Sequence, residues 1–104
     1  MGNQINVIVT GLKPQSVPCV FRTVVLKSNM NIFSQMTEIS TKYVIKWNYD
    51  LEGNTLTVPI GCILDFDGGQ LQNGSIQWSE TKVFNPYKYE ILKNITESGE
   101  KIEL

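Results

Sequence analysis

The fold is decided by residues 43–76, YVIKWNYDLEGNTLTVPIGCILDFDGGQLQNGSI. Runs of β-branched and aromatic residues alternate there with Gly, Asn and Pro, which is the pattern of short strands separated by tight turns. Residues 43–49 alternate in a way that places Tyr43, Ile45, Trp47 and Tyr49 on one face of a strand. The stretch therefore predicts a mainly β protein built from short strands.

A leucine followed two or three positions later by an asparagine recurs along the chain. The pairs are Leu51 with Asn54, Leu71 with Asn73, and Leu92 with Asn94. The leucines recur at nearly equal intervals of about 20 residues, a period that suits one rung of a parallel β-helix. Short strands and closely spaced turns also suit an antiparallel β-sandwich, which stays as the alternative.

Residues 43–76 resemble a recurrent segment of pectate-lyase-like right-handed β-helix proteins. These proteins occur in gut bacteria and in the tail-spike and fibre proteins of the tailed bacteriophages that infect them. The similarity runs through the motifs YDLEG (49–53), VP (58–59), CILDF (62–66), GG (68–69) and NGSI (73–76). It implies short right-handed parallel β-helix-like rungs over residues 43–104.

The composition agrees with a β fold. Ile, Val and Thr are abundant in the chain, whereas Ala and His are absent; β-branched residues favour strands and alanine favours helices. The net charge of −1 lacks the basic excess of a sequence-independent nucleic-acid binder. The absence of His removes the commonest metal ligand and a frequent general base.

The N-terminal part has a different character. Residues 5–10 and 20–26 are predicted as strands, and 28–41 as a segment with one short helix carrying Met30, Phe33 and Met36 at helical spacing. Ser28, Asn29 or Asn31 could cap that helix. We therefore divide the chain into an N-terminal attachment or capping segment, residues 1–42, and a β-helix-like module, residues 43–104.

The sequence offers little for catalysis. Asp65 and Asp67 could form a carboxylate pair or begin a calcium site, but we expect solvated strand and turn residues, because further calcium ligands at the required spacing are missing. Cys19 and Cys62 are far apart in the sequence, which fits two reduced, buried thiols or one disulfide. We expect no enzymatic activity, no cofactor and no metal site.

The resemblance implies a structural virion protein of a tailed bacteriophage, a tail or fibre component that contacts other virion proteins. We expect a homo-oligomer, with a trimer by analogy with fibres, made in the host cytoplasm without a signal peptide. Neither nucleic-acid binding nor membrane insertion is expected. The alternative is a module that binds host cell-surface polysaccharide. The candidate interface or glycan contacts are Trp47, Tyr49, Trp78 and Tyr87.

Overall fold

The computed structural model describes residues 22–104, so the strand predicted at 5–10 and Cys19 lie outside the described residues. The elements are β1 (Arg22–Val25), α1 (Ile32–Gln35), β2 (Thr41–Ile45), β3 (Asn48–Asp50), β4 (Thr55–Thr57), β5 (Ile63–Phe66), β6 (Gln70–Phe84) and β7 (Leu92–Glu103). The two strands predicted around Leu71 and at residues 75–78 both lie within β6. The single left-handed residue between them, Asn73, does not break the hydrogen-bonded ladder.

The strands form a parallel β-solenoid of about four rungs. Every strand pair in the described part of the chain is parallel, which confirms the β-helix-like architecture and excludes the antiparallel sandwich. Three faces run along the solenoid. The first face contains β1, β2, β5 and the last residues of β6 and β7; the second contains β3 and the starts of β6 and β7; the third contains β4 and the middle of both long strands.

The register between strands confirms the predicted period. On the first face one column of paired residues runs through Thr23, Lys42, Ile63, Lys82 and Ile102, with one rung of chain between successive members. The predicted equivalence of the leucines is only half right. Leu71 pairs with Leu92 on one side, but with Tyr49 on the other, so the match to Leu51 is out of register.

Alternation along each strand builds the core. On the first face Tyr43, Leu64 and Val83 stack inward. Leu56 and Ile76 stack in the same way on the third face. Each of these side chains is at most 4% exposed, and burial of one such side chain is worth about 1.5–3 kcal/mol. Stacking of apolar side chains between rungs therefore supplies most of the stabilisation.

The helix contributes two buried side chains to the core. Asn31 caps α1, because its Oδ1 accepts the Ser34 amide at 2.8 Å, and the helical prediction within 28–41 is confirmed. Ile32 and Met36 are buried, whereas Met30, from the predicted stripe, is 44% exposed. The boundary expected between residues 42 and 43 falls inside β2. Within residues 22–104 no helix is long and apolar enough to cross a membrane.

Corners between faces rely on left-handed backbone. Between the second and third faces, Glu52, Asn73 and Asn94 occupy successive rungs with φ of 53°, 58° and 57°. The Asn94 amide donates to Asn73 Oδ1 at 3.0 Å, and the Asn73 amide donates to Asp50 Oδ2 at 3.1 Å. This polar column, which we call the asparagine ladder, links the corners of three successive rungs.

Candidate functional site

The four aromatic residues singled out from the sequence divide into two pairs. Trp47 is 50% exposed and Tyr87 is 66% exposed, whereas Tyr49 and Trp78 are 6% and 3% exposed. The expectation of surface contact is therefore wrong for Tyr49 and Trp78. Both have a buried ring and a satisfied polar atom, as amphipathic aromatics usually do.

The buried pair is held by specific hydrogen bonds. Tyr49 Oη donates to the Lys27 carbonyl at 2.8 Å, and Trp78 Nε1 donates to Glu97 Oε1 at 3.0 Å. Lys101 Nζ lies 5.5 Å from the centre of the Trp78 ring and binds Glu97 Oε1 at 2.9 Å. Trp78 therefore lies beneath a small charged network and has a structural role.

Trp47 was expected on the same face as Tyr43, Ile45 and Tyr49, but it projects outward. The chain turns a corner at residues 46–47, between β2 and β3, and the strand alternation restarts after it. Tyr49 thus points inward again, in register with Leu71. The alternation of residues 43–49 had hidden this corner, because neither Lys46 nor Trp47 is a typical turn residue.

The exposed pair lies on the corner between the first and second faces, which we call the aromatic corner. It contains Lys46 and Trp47 in one rung, residues 67–69 in the next, and Tyr87 and Tyr89 in the following rung. Tyr89 Oη accepts the Gly68 amide at 2.9 Å and donates to the Gly69 carbonyl at 2.7 Å. These contacts fix the loop of residues 85–91 against the middle rung.

An ion pair crosses the aromatic corner. Lys46 Nζ binds Asp67 Oδ2 at 2.9 Å. The hydrogen bond to Asp67 raises the pKa of Lys46, and the same bond from Lys46 lowers the pKa of the Asp67 carboxyl. Both groups are therefore charged at neutral pH, and the corner presents two aromatic rings beside a neutral ion pair.

The middle rung of the aromatic corner carries no side chain at two positions. A Cβ on Gly69 would lie 2.5 Å from the Trp47 carbonyl oxygen and 2.6 Å from Ile45 Cγ2, so the backbones of adjacent rungs are in close contact there. Trp47 and Tyr87 are separated by this glycine rung, which corresponds to about 10 Å along the solenoid axis at ordinary strand spacing. The two aromatic side chains therefore stand apart on the surface, one on either side of the glycine rung.

A second surface lies on the outside of the first face, and we call it the outer apolar face. Outward positions of a half-exposed sheet are normally polar. Here Val25, Phe84, Ile102 and Leu104 are 50%, 39%, 44% and 65% exposed. The charged residues among them are Lys42, Asp65 and Lys82. This face could not be predicted from the sequence, since its members come from opposite ends of the described chain and only the register places them on one face. Val25 lies three strands from Phe84, with Asp65 and the buried Val44 between them, so the contiguous apolar part consists of Phe84, Ile102 and Leu104.

The two aspartates do not act as a pair. Asp65 lies 3.7 Å from Lys42 Nζ on the outer apolar face, whereas Asp67 binds Lys46 at the corner. Residues 22–104 contain no group of three or more His, Cys, Asp or Glu side chains placed to hold a metal ion. Each aspartate therefore neutralises a neighbouring lysine.

Cys62 is a free, buried thiol. Its Sγ donates to the Glu38 carbonyl at 3.2 Å, and burial raises the pKa of the thiol. A cavity of about 460 Å³ lies elsewhere, between the 85–91 loop and the end of β7, with Val83, Ile91 and Leu92 in its wall. Lys88, Lys101 and Glu103 also line it, so the cavity is a cleft with a mixed apolar and charged wall.

No family model, curated protein or solved structure matches the chain. The two surfaces that carry a functional argument are therefore the outer apolar face and the aromatic corner. Both are built from side chains that the solenoid leaves accessible.

Proposed function

We propose that this chain is a structural component of a tailed bacteriophage particle, in a tail or fibre, and that it acts by binding other virion proteins. The outer apolar face is the observation that carries the proposal. The resemblance of residues 43–76 to tail-spike and fibre segments supports it.

The physical argument rests on where the apolar side chains lie. Scattered exposed apolar residues are ordinary, but a contiguous patch commonly marks a protein interface. Phe84 and Ile102 occupy neighbouring strands of one sheet face, and Leu104, whose amide bonds the Val83 carbonyl, continues that face. A stack of strands is also rigid, so such a face needs little reorganisation on binding.

The proposal places the chain in the virion after synthesis in the host cytoplasm. Purified phage particles analysed by quantitative mass spectrometry should contain peptides of this chain at a fixed copy number relative to the major capsid protein. Washing in high salt should not remove it, because apolar contacts are not screened by salt. Absence from washed particles, or a copy number that varies between preparations, would overturn the proposal.

Carbohydrate binding is the second candidate function, and the aromatic corner favours it. Trp47 and Tyr87 present accessible rings beside the Lys46–Asp67 ion pair. Sugar rings stack on aromatic faces through their apolar C–H groups, while charged side chains can bond their hydroxyls. This corner would bind a polysaccharide on the host cell surface.

A glycan array and affinity electrophoresis in host polysaccharide test this candidate. Trp47→Ala and Tyr87→Ala should each abolish retention. Phe84→Ala is the matched control, since it removes a partly exposed aromatic ring from a different surface and should retain binding. Retention that is unchanged in both corner variants, or absent from the unmodified chain, would rule the candidate out.

A further inference from the structure

We infer that the outer apolar face packs against the same face of a second copy of this chain, with the two solenoid axes parallel. The inference rests on the proposed assembly function and names its first partner. It follows from the order of apolar and charged side chains in the two outward columns of the first face.

The two columns differ in charge. One runs through Thr23, Lys42, Ile63, Lys82 and Ile102. The other runs through Val25, Val44, Asp65 and Phe84, and Leu104 follows at its end. Val44 is only 8% exposed, so contacts from this column come from Val25, Asp65, Phe84 and Leu104. The first column therefore carries two cations in alternate rungs, and the second carries one anion in the rung between them.

Two arrangements bring such faces together with their strands aligned. If the two-fold axis lies along the strands, the rungs of the two copies run in opposite order. Lys42 then faces Lys82 of the second copy, and Asp65 faces Asp65. Like charges placed opposite each other are destabilising, so this antiparallel arrangement is disfavoured.

If the two-fold axis lies along the solenoid, each rung meets the same rung of the second copy and the two columns face each other. Asp65 then faces Ile63 and lies one rung, about 5 Å, from the levels of Lys42 and Lys82. Phe84 faces Lys82, a pairing that a cation–π contact can stabilise, and Ile102 faces Leu104. Charge complementarity thus selects the parallel arrangement.

The size of the face sets the expected affinity. Five strands about 4.8 Å apart and four residues long span roughly 20 by 13 Å, or about 500 Å² over two copies. Stable complexes bury about 1,200–2,000 Å², so the isolated pair should be weak, with a dissociation constant in the high micromolar range. Fixing copies side by side in a particle would raise their effective concentration enough to complete the contact.

Sedimentation velocity over a concentration series tests the interface. The unmodified chain should show reversible dimerisation that Ile102→Lys weakens at least tenfold. Ile60→Lys is the matched control, because Ile60 is 50% exposed but lies outside the two columns, and it should change the constant by less than twofold. A chain that stays monomeric at millimolar concentration, or equal effects of both variants, would overturn the inference.

Cross-linking tests the orientation. In a Cys19→Ser background, where Cys62 is buried, Ile102→Cys should form a homodimer with a short bismaleimide. A mixture of Ile102→Cys and Thr23→Cys chains should give almost no mixed dimer, since these positions are four rungs apart. Mixed dimers in excess of homodimers would overturn the parallel arrangement. The mass-spectrometric test for the chain in purified particles is independent of these two experiments. The proposed assembly function can therefore hold even if the two copies do not bind through this face.

Discussion

Single residues with positive φ set the shape of the solenoid. Left-handed backbone costs an L-residue about 1–2 kcal/mol, and Asn tolerates it better than most because its short side chain bonds locally. Asn73 combines this tolerance with the central position in the asparagine ladder, where its amide donates to Asp50 and its carbonyl oxygen accepts from Asn94. One side chain thereby links three rungs.

Substitution of Asn73 separates these two contributions. Asn73→Ala should lower the free energy of unfolding by about 2 kcal/mol, because it loses both the left-handed preference and two exposed hydrogen bonds. Asn73→Gly should lose only the hydrogen bonds, and therefore about 1 kcal/mol. Urea unfolding measures both values. Equal losses in the two variants would show that backbone conformation contributes nothing at this corner.

The ion pair at the aromatic corner should be visible in a titration. The pKa of Asp67 is lowered chiefly by its hydrogen bond from Lys46, so the pair persists as pH falls until the carboxyl titrates below its ordinary value of about 3.9. Its contribution to stability is present above that value and is lost as pH falls through the folded-state pKa. In Lys46→Gln the pKa should rise toward the ordinary value.

Carboxyl-detected NMR can follow Asp67 directly. Lys42→Gln is the matched control, since Lys42 faces Asp65 and not Asp67, and it should leave the Asp67 titration unchanged. A titration midpoint that is the same in the unmodified protein and in Lys46→Gln would contradict the assignment.

At the scale of the strand, alternation separates core from surface within a few residues. Phe66 ends β5 and is fully buried, whereas Phe84 ends β6 and is 39% exposed. Phe66→Ala should lower the free energy of unfolding by about 3–5 kcal/mol, as large core truncations do. Phe84→Ala should change it by less than about 1 kcal/mol. Thermal or urea unfolding of the dilute protein measures both losses. Comparable losses in the two variants would mean that the outer apolar face stabilises the fold of the monomer.

Strand type and period could be predicted from the sequence because they are local. The left-handed residue Asn73, the strand with Cys62, Leu64 and Phe66, and the capped helical turn at Asn31 each follow from neighbouring residues. The corner at Lys46 and Trp47 could not, because close contact with Gly69 of the next rung sets it. The burial of Trp78 likewise depends on Glu97 and Lys101.

The candidate surfaces were predictable to different degrees. Trp47 and Tyr87 could be proposed as surface contacts from residue type alone. Tyr49 and Trp78 were proposed on the same ground and are buried, because exposed and buried aromatic residues look the same in a sequence. Their shared corner, and the separation of Tyr49 and Trp78 from it, required the register between rungs. The outer apolar face could not be predicted without that register, because only the stacking of the strands places Val25 and Ile102 on the same face.

Considered as a whole, the molecule keeps its strands in register while its corners differ in length, most of all the corner between the first and second faces. Residues 46–47 join β2 to β3, residues 67–69 join β5 to β6, and the longer loop 85–91 separates β6 from β7 at the same corner. The extra residues loop outward over the surface, so the stack beneath them does not change.

Insertions should therefore be tolerated better in the 85–91 loop than within β6. A short insertion of Gly and Ser after Tyr87 should lower the free energy of unfolding by no more than about 1 kcal/mol, since lengthening a surface loop costs little. The same insertion after Asn73 should cost several times more, because it interrupts both the asparagine ladder and β6. Urea unfolding of the two insertion variants compares them, and equal losses would contradict this view of the corners.

The nearly constant length of chain between paired strands also governs how the chain can fold. Each added rung closes a loop of nearly the same length, so the entropic cost of loop closure is nearly the same for every rung. Each completed rung also offers a template to the residues that follow it in the chain. Once a first group of rungs has formed, folding can therefore propagate along the chain one rung at a time.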